Sequence, residues 1–418
     1  MSWNRRRFLD TSLRSSTLIA LGSPTIPGFL SRSAQAARTT KPNDRILVVV
    51  QLLGGNDGLN TVVPHGLDGY NRGRRALRIS SGQIHKITPE IGLHPSMGGM
   101  AKLLEKGRLS VIQGVGYPNP DRSHFRSMEI WETARLENDA KSLETGWLGR
   151  ALDAGSRKPG EDPPGLHVGG RSMPLALRAR KTEVPSLENL ENYRLQVAGT
   201  DQEKRMTRAA LNQLADVERH GDDPLLGFIR RSTLSAYETS DRLEQIARKP
   251  QGDKKYPDYG LARRLELIAK IIKADFGTRI FYTSHDGFDT HANQLGTHAA
   301  LLNELSDSIS AFHDDLGAAG VADRVAVLTF SEFGRRVQEN ASNGTDHGAA
   351  APVFLVGPVA RPGLVGDHPS FDKLDDGDLK FHTDFRRVYA TLLADWLGCP
   401  PELIVGKGFE PLALFRHT

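Results

Sequence analysis

The sequence predicts an α/β fold: a mostly parallel sheet flanked by helices, with a helical insertion. Three observations predict it. Short, continuously apolar runs rich in β-branched residues recur along the chain, helical patterns alternate with them, and polar clusters follow their carboxyl ends.

Four runs read as buried strands: "RILVVVQLL" (45–53), "RLSVIQGV" (108–115), "TRIFYTS" (278–284) and "RVAVLTFS" (324–331). A fifth is "PVFLVG" (352–357). Runs apolar on both faces suit a parallel sheet covered on each side. Between them lie helical patterns, "SMGGMAKLLEKG", "SHFRSMEIWETARL" and "NQLGTHAALLNELSDSISAFHDDLGAAG". Residues 185–275 are strand-poor and charged, with helical stretches expected near 202–217, 224–247 and 259–275, and read as a helical insertion or cap.

The first residues read as an address. "NRRRFLD" sets Arg5 and Arg6 before Phe8 and Leu9 in the twin-arginine arrangement, and "SAQA" offers a small-x-small cleavage site after Ala36. The apolar stretch between them is broken by Gly22, Pro24 and Pro27 and is too short to span a bilayer, so no stable membrane anchor is expected. Residues 1–36 are therefore expected to be a signal peptide, with residues 37–418 forming the α/β domain in the periplasm or outside the cell. Export would involve the twin-arginine translocon, which carries folded substrates.

The formal net charge of +4 does not describe the domain, because Arg5, Arg6, Arg7, Arg14 and Arg32 against Asp10 account for all of it. A near-neutral remainder without a basic, aromatic-interleaved run excludes a nucleic-acid surface. The single cysteine, Cys399, excludes an intramolecular disulfide.

In open parallel sheets, ligands bind beyond the carboxyl ends of the strands. Five polar clusters fall there: "GGNDGLN" with Asp57, "GYPNPDRSHF" with Ser123 and His124, "TSHDGFDTH" with Asp289 and His291, "SEFGRR" with Glu332, and "GTDHG" with Asp346 and His347. Histidines and carboxylates drawn from separate segments match a divalent metal: zinc if imidazole dominates, calcium or magnesium if oxygen does. Each motif has an ordinary alternative, since Asn-Asp-Gly is turn chemistry, Asp289 can cap a helix, and Glu332 can pair with Arg335 or Arg336. Ser123 stands where a helix begins, where backbone N–H groups favour an anion that Arg122 or Arg126 could help hold, though a plain N-cap serine is the alternative.

"LVVVQLLGGNDGLNTVVP", "TGWLGR", "GFDTHANQ", "TFSEFGRR" and "GTDHGAAAPVFLVG" resemble the exported bacterial proteins of domain-of-unknown-function family 1501, which is similar in turn to the alkaline phosphatase and sulfatase superfamily. The resemblance implies an alkaline-phosphatase-like fold and a metal-dependent hydrolase of phosphate or sulfate esters, small or polymer-borne. It makes Asp57 the first-strand ligand, Ser123 the nucleophile, Asp289 and His291 the loop pair and His347 the late histidine. Glu332 and Phe333 stand where that superfamily has an Asp-His pair, so one nitrogen ligand is missing. A non-catalytic exported binding or envelope-assembly protein is the alternative which Phe333 favours.

Overall fold

The computed structural model describes residues 45–137, 139–155, 162–170, 172–187, 242–243, 245–246 and 256–416. The expected signal peptide, the helix near 202–217 and most of that near 224–247 lie outside the described residues.

Strand β1 (Ile46–Leu52) is buried along its whole length. Because strand side chains alternate, Ile46, Val48, Val50 and Leu52 enter one apolar cluster, while Leu47 and Val49 enter another on the opposite face. Gln51 is the polar exception, and its Oε1 accepts from the Tyr282 hydroxyl at 2.6 Å. Besides a separate three-stranded sheet of Val62–Val63, Gly92–Leu93 and His85–Lys86, the described residues form β2 (Leu109–Gly116), β3 (Gly165–Val168), β4 (Ser186–Leu187), β5 (Ile280–His285), β6 (Val325–Ser331), β7 (Arg335–Glu339), β8 (Thr345–His347), β9 (Ala351–Val356), β10 (Gly363–Val365) and β11 (Thr383–Asp384). Nine of them form one sheet ordered β10-β2-β9-β6-β1-β5-β3-β4, with β11 also on β2. β1 is parallel to both β5 and β6, whereas β9 runs antiparallel between β2 and β6. The sheet is thus mostly parallel, and the reversal of β9 has a consequence for the site. Its first residue, Ala351, lies opposite Val115 near the end of β2, so the segment before β9 arrives at the same rim as the carboxyl ends of the others.

Helices α1 (Gly98–Glu105), α4 (Gly260–Lys273) and α5 (Gln294–Ala318) cover one face. Leu302, Leu305, Ile309, Phe312 and Leu316 of α5 recur at helical spacing and are all buried. Helices α2 (His124–Thr133), α3 (Trp147–Ala154) and α6 (Phe385–Thr391) cover the other. The two ends of the expected insertion belong to these layers: β4 is an edge strand, and α4 packs on the sheet beside α5. Strands β7 and β8 pair separately as an antiparallel ribbon that sets Arg335 opposite His347.

Candidate metal centre

The rim is assembled from loops that approach unusually closely. After β1 the chain turns through Gly54 and Gly55, both at positive φ. A Cβ on Gly54 would overlap the backbone of Asp289, and one on Gly55 would overlap the Phe333 ring, so the "GG" pair is what lets three segments meet. Arg335, whose side chain is fully buried, staples them. Its Nε donates to Gly55 O at 2.6 Å and its Nη1 to Thr345 O at 2.7 Å, while Nη2 contacts Gly54 O, Phe288 O and Asp289 Oδ1, the last at 2.8 Å.

Asp289 is the middle of the cluster. His291 Nε2 lies 2.9 Å and His347 Nε2 3.1 Å from its Oδ1, and His124 Nε2 lies 3.5 Å from its Oδ2. The nitrogens of His291 and His347 are 2.9 Å apart. Each imidazole ties its other nitrogen to an outer acceptor: His124 Nδ1 to Glu332 Oε1 at 2.9 Å, His347 Nδ1 to Arg122 O at 2.7 Å, and His291 Nδ1 to Asp346 Oδ1 at 3.3 Å. A carbonyl or carboxylate accepts only, so the ring proton belongs on Nδ1 and the Nε2 lone pair faces inward. Among the described residues, His124, Asp289 and His347 form a group that could hold a metal ion, their ligand atoms lying within 4.8 Å of one another.

The electrostatics follow from these contacts. Burial alone would raise Asp289, but the Arg335 guanidinium that donates to it outweighs burial and holds its carboxyl down at about 2. The hydrogen bond to Glu332 lifts the His124 imidazole above its ordinary value against the effect of burial. Burial pushes His347 down, opposed by the Arg122 carbonyl and Asp289. Asp346 is lowered chiefly by its hydrogen bond from Asn340.

The structure brings Asp289, His291 and His347 together, with Glu332 and Asp346 behind them as hydrogen-bond acceptors. It does not bring Asp57 to this group. Asp57 is wholly buried, with Arg74 Nη1 at 2.5 Å and Nη2 at 3.0 Å and Gln294 Nε2 at 2.5 Å, so an internal guanidinium occupies the carboxylate expected to bind metal. Ser123 is exposed at the start of α2 and its hydroxyl makes no cap hydrogen bond. Arg122 is held by Asp378 and Asp376, and Arg126 by Glu129 and the carbonyls of Leu136 and Glu137, so both are engaged elsewhere. His285 is buried, with Nε2 at 3.2 Å from Leu301 O.

Sequence reasoning did not single out His124 as a ligand or Arg335 as a staple. His124 reads as the first residue of an ordinary helix. The signal was Phe333, which leaves a nitrogen missing: its buried ring packs against the imidazoles of His124 and His347, with centroids at 5.0 and 4.6 Å, and His124 brings a ring nitrogen there from another segment.

Among solved structures, the chain is similar to the PsFucS1 sulfatase from Pseudoalteromonas sp., with 10% identity, 91% of this chain and 72% of that chain covered and a TM-score of 0.41. It is also similar to a protein in the alkaline phosphatase superfamily from Vibrio parahaemolyticus (10% identity, 88% and 71% covered, TM-score 0.38) and to the lipoteichoic acid synthase LtaP from Listeria monocytogenes (9%, 77% and 68%, TM-score 0.35). At these scores the likeness is loose and carries nothing about chemistry. No curated protein matches the chain. Residues 44–396, which run from the start of β1 through α6, match the family described as protein of unknown function (DUF1501), and the chain belongs to that family.

Proposed function

We propose that this protein is an exported, metal-dependent hydrolase of phosphate or sulfate esters whose ion is held by His124, Asp289 and His347, with His291 beside them. One observation carries this: the Nε2 atoms of His124, His291 and His347 all lie within 3.5 Å of the Asp289 carboxylate, and His124, Asp289 and His347 are close enough together to share one ion. Imidazole nitrogens with a single carboxylate suit zinc better than calcium or magnesium, which take all-oxygen shells. When bound, such an ion supplies Lewis acidity toward an ester oxygen and a neighbouring hydroxyl. Glu332, Arg122 O and Asp346 orient the imidazoles, as outer acceptors do in metal sites. Ser123 lies between two residues tied to the cluster, through the Arg122 carbonyl and the His124 ring, and the first turn of α2 favours a negatively charged group beside its hydroxyl. Ser123 is the attacking hydroxyl in this scheme.

A second reading is favoured by Arg335, whose guanidinium already gives Asp289 a positive partner at 2.8 Å. A non-catalytic exported protein would then keep the fold with an ion-free cluster. Elemental analysis of the purified full chain, together with a panel of aryl phosphate and sulfate esters, separates the two. Bound zinc and turnover abolished by chelation support the hydrolase, and a metal-free, inactive protein supports the binding protein. Export is carried by the "NRRRFLD" segment; among the described residues no helix is long and apolar enough to cross a membrane.

A further inference from the structure

Gln294, the first residue of α5, is fully buried and lies behind the cluster. Its carboxamide has a forced orientation. Nε2 faces Asp57 Oδ2 at 2.5 Å, and a carboxylate can only accept, so Oε1 is the atom presented to the other side. There it accepts from Thr290 Oγ1 at 3.0 Å and from Thr345 Oγ1 at 2.6 Å.

Those two threonines are placed with purpose. Thr290 sits between Asp289 and His291, and its side chain is buried against Gln294 while its neighbours enter the cluster. Thr345 precedes Asp346 and His347. The two segments also join directly, Thr345 N donating to Thr290 O at 3.2 Å. One amide therefore holds both ligand-bearing segments from behind. It is itself fixed by the buried Asp57 and by a 25-residue helix rooted in the core. Backbone contacts reinforce the joint, Gln294 N donating to Asn343 O at 2.9 Å and Asn293 N to Ser342 O at 3.0 Å.

We infer that Gln294, through Thr290 and Thr345, is a positioning residue that sets the spacing of the Asp289–His291 and His347 ligands. Asp57 acts through it as the anchor of that joint, at the position where a metal ligand was expected. Groups that orient metal ligands in this way are worth about 10–100-fold in metal affinity. This inference rests on the metal-centre reading above, and the test keeps the two apart.

The measurement is zinc affinity of the full chain, by competition with a chromophoric chelator, with the melting temperature of the zinc-free form recorded alongside. Thr290→Val with Thr345→Val keeps shape and removes only the two hydroxyl donors, and is expected to weaken zinc binding about 10–100-fold. Thr290→Ser with Thr345→Ser retains both donors and is expected to bind as the parent does. Should the paired Val variant not fold, each single Val variant carries the expectation of about tenfold weakening. A parent that binds zinc and Val variants that bind it equally well would overturn the positioning role alone. Equal weakening in the Ser and Val pairs would do the same, since packing rather than hydrogen bonding would then be responsible. A parent that binds no zinc removes the metal centre and this inference together.

Discussion

Replacing Arg74 by Met removes the guanidinium paired with Asp57 without opening a large cavity. Both side chains are fully buried, and Arg74 also donates from Nε to Val337 O and from Nη2 to Arg336 O at 2.8 Å each. The variant therefore keeps a buried carboxylate with Gln294 as its remaining side-chain donor and strands two ribbon carbonyls. Breaking a buried pair in this way costs roughly 3–5 kcal/mol, a large share of the 5–15 kcal/mol typical of a folded protein. Asp57→Asn combined with Arg74→Met removes both charges and is expected to recover about half of that loss. Urea unfolding followed by tryptophan fluorescence is the assay, because Trp131, Trp147 and Trp396 are buried among the described residues and report the core. The dependence on pH gives a second signature. In the parent, burial would raise Asp57 but Arg74 outweighs it and holds the carboxyl below 3.8, so its contribution is present above 3.8 and is lost as pH falls through the lowered folded value. Without Arg74, burial raises the carboxyl instead, so the variant's deficit is largest at neutral pH and shrinks on acidification as Asp57 takes up a proton. A deficit under about 1 kcal/mol at pH 7, or one that fails to shrink toward pH 4, would refute the account of Asp57 as a charge held by Arg74.

Asp289→Ala and His124→Ala are each expected to abolish tight zinc binding and the zinc-dependent rise in melting temperature, while His285→Gln leaves zinc binding at the parental level; calorimetric titration checks all three. Ser123→Ala is expected to lower ester turnover by orders of magnitude with a stability change under about 1 kcal/mol, because its hydroxyl caps nothing; unchanged turnover removes Ser123 from the chemistry. Burial pushes the His298 imidazole down to about 4 from 6.5, so the folded state binds fewer protons than the unfolded one in that window. Stability should therefore fall by up to about 3 kcal/mol as pH drops from 6.5 to 4, and His298→Gln should flatten that part of the profile.

The strand positions were legible because apolar runs such as "ILVVVQL" must be buried on both sides, and the rim was legible because polar clusters ended them. The direction of β9 was not, since "APVFLV" is equally apolar in either orientation and only its partners decide. Within the centre, Asp289, His291 and His347 were marked by residue type. Asp57 was marked equally well, yet its fate depends on Arg74, which nothing local links to it. A carboxylate in sequence does not reveal whether its counter-ion will be a metal or a guanidinium. His124 was named within its polar cluster but not as a ligand, because only the meeting of α2 with Phe333 sets its ring beside the others.

Strand β9 sits between β2 and β6, and the β7–β8 ribbon just before it carries His347 to the rim where His124 and Asp289 stand. A chain that has laid down β1, β2, β5 and β6 but not yet the β7–β8 ribbon lacks His347. Under the proposed metal centre, ion capture would be a late event in the life of the molecule, reporting that the β7–β8 ribbon has folded back. A chain emerging from the ribosome gains the centre only after residue 347 is free to fold back. Under the folded export proposed above, it would leave the cell interior with that step already complete.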